Sequence, residues 1–238
     1  MRNVLGKMRD ALQNPAYLGS ILSGKKYWEV AVDGLKIKLS FSTLLHYQIA
    51  REESEGKIER DILEYWLKIK ADVVYDIGGY NGIYGIAYAK KYPNSRVIIF
   101  EPDLINYNQI LQNIKLNDLA NCTVEKVAVS DTEGTILFSQ GGRSKERIVE
   151  KGGSPVPTFP LSYYPKAELV KIDVEGAEGK VLRGLMYPTN IIIELHSPQY
   201  LAQYGDTQES IWKRVKELNL TPVLLSDRNT EQHYFLHP

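Results

Sequence analysis

Residues 73–82 read Val-Val-Tyr-Asp-Ile-Gly-Gly-Tyr-Asn-Gly, an apolar run that ends in Asp76 and passes into a loop with glycines at 78, 79 and 82. Glycines at Gly78 and Gly79 permit left-handed backbone and close approach to a ligand, and Gly82 opens the helix that follows. A dinucleotide fingerprint, G-x-G-x-x-G, needs a free helix N-terminus for a pyrophosphate. Here the spacing is D-x-G-x-x-x-G instead. A carboxylate at Asp76 opposes a diphosphate and favours the ammonium and sulfonium charges of S-adenosylmethionine (SAM).

A second acid, Glu101, closes the next apolar run, Arg96–Phe100, near the offset at which a carboxylate takes the two hydroxyls of a ribose. Pro102 and Asp103 then suit the first turn of a helix. A third acidic group follows a run at 168–173: Asp173, then Glu175 and Glu178 around Gly176. The next run ends in Glu194-Leu195-His196. Adjacent parallel strands would bring Asp173, Glu175, Glu194 and His196 to one rim. Methyl transfer to a hydroxyl is an in-line displacement that needs positioning and removal of one proton. His196, whose ordinary pKa lies nearest neutrality, is the expected base. Asp173 is expected to orient the acceptor or share that role, and Glu175 to bind neighbouring hydroxyls. The alternative for His196, placed before Ser197-Pro198, is to cap a strand end. Glu178 reads as first-turn decoration of a helix, and Lys171 is given no catalytic role. Asp173, Glu194 and His196 lack the contiguous spacing of a metal motif, and no metal is assigned.

Elements that must position these groups follow from periodicity. Strands are expected at 72–77, 96–100, 121–129, 168–173 and 189–195, and helices near 83–91, 103–116, 176–184 and 207–219. Residues 223–225 and 234–236 read as a closing antiparallel pair. Alternation of this kind predicts an α/β, Rossmann-like, doubly wound and mostly parallel sheet. Ahead of it, residues 1–57 form an expected N-terminal extension: an amphipathic helix (Val4, Leu5, Met8, Leu12) broken at Pro15, then a hairpin around Asp33-Gly34. Residues 58–238 form the main domain, opening with a helix at 57–68. The stretch 139–165, rich in Gly, Pro and Ser, is expected to be a loop acting as a lid. Tyr163 and Tyr164 could face a sugar or pack that lid down. His46, His233 and His237 are expected at the surface or in turns.

Several strings together resemble the FkbM-type SAM-dependent methyltransferases: Asp76–Gly82, Phe100-Glu101-Pro102-Asp103, Val127-Ala128-Val129-Ser130-Asp131, and above all Lys171-Ile172-Asp173-Val174-Glu175-Gly176-Ala177-Glu178. The resemblance spans about 58–196. It implies that Asp76, Gly78, Gly79, Tyr80, Asn81 and Gly82 hold the methionine portion of SAM, with Asp173 beside it. Glu101 would hold the ribose, Pro102 and Asp103 the adenine side, and Ala128 and Ser130 would line the adenine. Gly79 departs from the alanine commoner in the family. The implied reaction is O-methylation of a small-molecule or glycan hydroxyl.

Composition bounds the alternatives. The chain has 238 residues, 43% hydrophobic and 24% charged, enough for one α/β domain with additions. Lys+Arg and Asp+Glu are both 29, so no global field gathers nucleic acid, and an RNA methyltransferase is disfavoured. An amino-methyltransferase of bases would place Asp/Asn-Pro-Pro-aromatic where Asp173-Val174-Glu175-Gly176 stands. An NAD-dependent oxidoreductase is disfavoured by Asp76 and the loop spacing; a non-catalytic SAM-binding partner is the remaining rival. No run reaches membrane-span length, no signal peptide is read, and the single cysteine, Cys122, suits a reducing cytoplasm. No oligomeric state is assigned.

Overall fold

The computed structural model describes residues 14–139, 148, 152–228 and 231–238. Helix α1 (Pro15–Leu22) leads to a hairpin of β1 (Tyr27–Val32) and β2 (Leu35–Ser40), then to α2 (Leu44–Ser54) and α3 (Arg60–Trp66). The alternating part follows: β3 (Val73–Ile77), α4 (Ile83–Lys91), β4 (Arg96–Phe100), α5 (Leu104–Leu116) and β5 (Cys122–Glu125). Three short strands come next, β6 (Ala128–Val129), β7 (Gly134–Phe138) and β8 (Ser154–Phe159). The chain returns through β9 (Leu169–Ile172), α6 (Glu178–Gly184), β10 (Asn190–His196), α7 (Pro198–Ala202) and α8 (Gln208–Glu217) to β11 (Thr221–Asp227) and β12 (Glu231–His237).

Seven strands form one sheet in the order β11-β12-β10-β9-β3-β4-β5. β10, β9, β3, β4 and β5 are parallel, while β12 pairs antiparallel with both β10 and β11. This is the expected Rossmann-like α/β fold. The order reverses between β3 and β9, so the loops leaving their carboxyl ends diverge and open a crevice there. Both faces of these strands are apolar because both are covered. Tyr75, Ile77, Phe100, Val170 and Ile193 pack against Val181, Leu182 and Ile211 of α6 and α8. Val74, Ile99, Leu169 and Ile192 pack against Trp66, Ile83 and Ile86 of α3 and α4. Each such aliphatic side chain removed from water is worth roughly 1.5–3 kcal/mol.

The hairpin is not a loose appendage. Val30, Val32, Ile37 and Leu39 join the core under α4, and Asp33 and Gly34 take the positive φ that a two-residue turn requires. Asn113 of α5 and Asn117 at its C-cap accept from the backbone N–H groups of Ser40 and Lys38 at 2.8 and 2.9 Å, binding the edge of β2 to the main body.

Several expectations are corrected. Pro15 starts a helix rather than breaking one: it occupies the first turn, where its missing N–H costs nothing, and Asn14 caps it through Tyr17 N at 3.0 Å. The helix expected around Val4–Leu12 lies outside the described residues. α2 was not anticipated; Thr43 caps it through His46 N. The strand expected at 121–129 splits after Glu125, and β6 joins a second sheet of order β6-β8-β7. That sheet takes up Ser154–Phe159 of the stretch read as a loop at 139–165, of which 140–147 and 149–151 lie outside the described residues. Pro155 and Pro157 sit two apart in β8 and share one edge, where β6 reaches only Thr158 and Phe159. Among the described residues no helix is long and apolar enough to cross a membrane.

Candidate active site

The crevice between β3 and β9 is the mouth of a cavity of about 320 Å³, within the range of small-molecule sites. Its wall includes Asp76, Gly78, Gly79, Tyr80, Asn81, Glu101, Pro102, Ala128, Ser130, Asp173 and Glu175. The expected cofactor residues thus converge, with two exceptions. Gly82 lies behind the loop at φ +83, facing Ile86 and Ile110. Asp103 is fully buried as the cap of α5, accepting from Ile105 N and Asn106 N at 2.8 Å.

The glycine loop is stitched to its neighbours. Gly78 N and Gly79 N both donate to the Phe100 carbonyl, at 3.0 and 3.2 Å. A Cβ on Gly78, at φ +84, would stand 1.7 Å from the Asp173 carbonyl oxygen. Only glycine lets the loops after β3 and β9 meet. Asp76 is buried and accepts from Gly85 N at 2.9 Å, so it also closes the first turn of α4. Burial pushes its pKa up to about 6, against the opposing pull of that N–H and of Lys171. Glu101 accepts from Tyr80 N and Asp103 N, one on each oxygen, at 2.9 Å. Burial raises it to about 8 despite those two donors and a third, the Asn106 side chain.

This donor set fits SAM. Tyr80 N, Asp103 N and the Asn106 side chain take three of the four lone-pair sites of Glu101, and the fourth is left for a ribose hydroxyl. Asp76 supplies a carboxylate whose charged form is favoured by a cationic ligand. The buried Tyr80 hydroxyl has no hydrogen-bond partner among the described residues.

Beyond this half, the wall continues through Lys171, Glu194, Tyr84, Glu59 and Glu53. Lys171 is buried, its Nζ 3.4 Å from Asp173 Oδ2 and 3.9 Å from Glu194 Oε2, with the Tyr84 ring centroid at 4.9 Å. Burial alone would lower its pKa, but the Asp173, Glu194 and Glu59 carboxylates raise it, and it stays an ammonium. Lys171, expected to take no catalytic part, is thus paired with acids on the cavity wall, as a cation in a buried parallel strand must be.

The histidines are also corrected. His196 does not line the cavity. Its Nδ1 is 2.8 Å from Glu178 Oε1 and its Nε2 3.4 Å from Glu175 Oε2. Burial alone would lower its pKa, but those carboxylates outweigh it and hold it up at about 11. Off the cavity wall and flanked by two carboxylates that favour its charged form, His196 is not placed to take a proton from an acceptor there. Glu178 does stand in the first turn of α6 as expected, but it is fully buried there and also accepts from Gly176 N at 2.9 Å. His233 is buried between Glu59 and Glu194, and His46 between Ser42 and Asn106; neither is a surface residue. Tyr164 packs on Phe100 with ring centroids 4.9 Å apart, while Tyr163 is largely exposed. Neither ring faces the cavity.

Side-chain ligand atoms of Asp173, Glu194 and His196 lie within 4.8 Å of one another, as do those of Glu59, Glu194 and His233. Both groups already contain or adjoin a cation, Lys171 or an imidazolium, so they read as ion-pair networks.

Comparison with known proteins agrees with this geometry. A family model described as methyltransferase FkbM domain matches residues 76–220. The chain is 24% identical to methyltransferase sdnD of Sordaria araneosa, over 52% of this chain and 66% of the relative. It is 26% identical to the hexuronic acid methyltransferase AglP of Haloferax volcanii, over 58% of this chain and 63% of the relative. It therefore spans just under two thirds of each relative's length. Among solved structures, a Pyrococcus horikoshii protein provisionally described as a transferase superposes with a TM-score of 0.52 at 12% identity, covering 89% of this chain and 70% of that one. A Nostoc punctiforme protein provisionally described as an O-methyltransferase gives 0.51 at 14%, covering 82% and 59%. At such identities the likeness concerns the fold alone. The family match runs from Asp76 at the end of β3 past β9 and β10 and covers more than half of the chain, which therefore belongs to the FkbM methyltransferase family, whose methyl donor is SAM.

Proposed function

We propose that this protein transfers the methyl group of SAM to a hydroxyl of a small, uncharged, polyhydroxylated acceptor such as a sugar, glycan or secondary metabolite. The observation that carries this reading is a single cavity. It joins the Asp76 and Glu101 carboxylates to a second acidic half made by Glu53, Glu59, Asp173, Glu175 and Glu194.

In this reading Asp76, Gly78, Gly79, Tyr80 and Asn81 hold the methionine part of the donor, Glu101 the ribose, and Pro102, Ala128 and Ser130 the adenine. The donor, when bound, supplies an electrophilic methyl carbon on a sulfonium. Asp173 sits where β9 meets the glycine loop and orients the acceptor hydroxyl, and Glu175 accepts from a neighbouring hydroxyl. Carboxylates suit both tasks because each is acceptor-only and hydroxyls are donors. Apolar side chains from Ile49, Ile58, Ile136 and Phe138 complete the wall and keep water out. A wall of acceptor oxygens pairs with hydroxyl donors and offers nothing to a second carboxylate or a phosphate, so neutral polyhydroxylated acceptors are favoured. The relationship to a hexuronic acid methyltransferase supports a sugar-like acceptor while leaving open which oxygen is methylated.

The test is transfer from methyl-labelled SAM to a panel of neutral methyl glycosides, glucuronic acid and simple phenols. Label in a new methyl ether of a neutral glycoside is the expected result. Label confined to amines or RNA, or tight NAD binding without SAM binding, would overturn the proposal.

A further inference from the structure

The acidic half of the cavity is backed by a line of titratable groups that no part of donor binding uses. Glu194 of β10 stands opposite His233 of β12 in antiparallel register, so their side chains lie on one face of the sheet. His233 Nε2 is 3.2 Å from Glu194 Oε2 and 3.3 Å from Glu59 Oε1. Tyr84 of α4 donates to the other Glu59 oxygen at 2.8 Å, and Arg228 Nη1 approaches Glu59 at 3.5 Å. His233 is wholly buried and Glu194 nearly so. From its own strand His196 Nε2 faces Glu194 Oε1 at 3.9 Å, and from β9 Lys171 faces Oε2 at the same distance.

A buried network of this kind adds little stability over well-packed apolar side chains. Its place is more informative, because Glu194 and Glu59 both open onto the cavity in which a hydroxyl must lose its proton. Asp173 is held by the Lys171 ammonium and is more exposed, and Glu175 faces the His196 imidazolium. Glu194 instead has one close partner, the His233 imidazole, whose Nε2 faces both Glu194 and the Glu59 carboxylate.

We propose that Glu194 is the proton acceptor of the methyl-transfer step, positioned by His233 and Glu59 in a carboxylate–imidazole–carboxylate relay. The inference rests on the reading that the acceptor is a hydroxyl. The acceptor oxygen bonds to the donated carbon as the carbon–sulfur bond breaks and its electron pair returns to sulfur. The hydroxyl proton passes to the Glu194 carboxylate and leaves to solvent after the product departs. Burial, then the Asp173 carboxylate, push Glu194 up to about 8 against the opposing pull of His233 and Lys171. On Glu59 the His233 and Lys171 charges outweigh burial and hold it down at about 2, while Glu194 and Glu59 outweigh burial on His233 and raise it to about 9. A base titrating near the working pH is the efficient one.

Carbon-13 carboxyl spectra of glutamate-labelled protein saturated with S-adenosylhomocysteine test this without turnover. A resonance titrating between about pH 7 and 9 is expected, absent in Glu194→Gln and displaced in His233→Gln. On the best neutral glycoside of the panel, Glu194→Gln should cut kcat by about 10²–10⁴-fold with SAM affinity within twofold of wild type. His233→Gln should shift the acidic limb of the kcat profile in the same direction as the resonance. A Glu194 resonance titrating in the ordinary carboxylate range, or wild-type kcat and pH profile in Glu194→Gln, would overturn the proposal. Should the panel give no ether product, the hydroxyl reading falls and the relay falls with it as a methyl-transfer base. A resonance near 8 would then mark it as an ion-pair network only.

Discussion

His196 Nδ1 and Glu178 Oε1 face each other at 2.8 Å beneath the loop that carries Asp173. With Glu175 on the other ring nitrogen, both nitrogens are donors and the ring is an imidazolium. It ties the end of β10 to the start of α6, and the Glu178 oxygen it meets also holds Gly176 N. The pair is a strut. Replacing His196 by Gln leaves Glu178 buried and unpaired as a charge, which costs roughly 3–5 kcal/mol. The sign with pH follows from the raised value of about 11. Stability from this pair is fully present below the ordinary histidine pKa near 6.5 and is lost as pH rises through about 11. Thermal unfolding of wild type and His196→Gln between pH 6 and 10 should therefore show a gap that narrows with pH. A variant as stable as wild type but without turnover would restore His196 to the role of base.

Gly78 and Gly24 separate backbone strain from backbone contact. Both have positive φ, but a Cβ at Gly24 meets nothing within 4 Å among the described residues, whereas at Gly78 it strikes the Asp173 carbonyl. Gly24→Ala should cost only the roughly 1–2 kcal/mol of left-handed strain. Gly78→Ala should cost clearly more and reduce SAM affinity as well, because Asp173 must move. Denaturant midpoints for the two variants decide it, and equal losses would mean that the loops after β3 and β9 do not touch.

The strand ends were legible because their chemistry is local. Asp76, Glu101 and Asp173 each close an apolar run, and a parallel sheet places such ends on one rim whatever the details. The relay was illegible for the opposite reason. Glu59, Tyr84, Glu194 and His233 come from four separate elements, and their meeting depends on β12 pairing antiparallel beside β10 with one register. A slip of one residue would send His233 to the other face. His196 misled because residue type suggested a base, while the carboxylates that keep it charged include one, Glu178, that reads as helix decoration. The small sheet was hidden by the prolines of β8, which argue against a strand unless one edge is known to be open.

Donor binding should depend on pH through two carboxylates. Asp76 and Glu101 stand at about 6 and about 8 without ligand, raised in both cases first by burial. Sulfonium, ammonium and ribose hydroxyls favour their ionised forms, so binding must release protons. SAM affinity should accordingly tighten from pH 5 to pH 8. In the unliganded protein the sign is reversed: the folded state holds these protons more firmly, and stability falls as pH climbs from about 4 toward the folded values. Asp76→Asn and Glu101→Gln should each weaken SAM by roughly 1–3 kcal/mol and flatten its own part of the pH dependence. Calorimetric titration across that range checks both, and a flat profile in wild type would remove these residues from the donor site.

Lys171 offers the sharpest electrostatic test, because its charge and the donor's share one cavity. The ammonium is 1% exposed and is held by the Asp173 and Glu194 carboxylates and the Tyr84 ring rather than by a hydrogen bond. Lys171→Met keeps the volume and removes the cation, leaving those acids unopposed. Losing one side of a buried pair costs roughly 3–5 kcal/mol, and lowering the pH should recover part of it as the carboxylates take up protons. The same vacancy of charge favours a cationic ligand. SAM carries a sulfonium and S-adenosylhomocysteine a neutral thioether, so the ratio of their affinities isolates that one charge. In Lys171→Met the ratio should move toward SAM, and SAM should raise the unfolding temperature by more than it does in wild type. An unchanged ratio would show that Lys171 and the sulfonium do not feel each other, and that the acidic half of the cavity lies too far from the donor to take part in transfer.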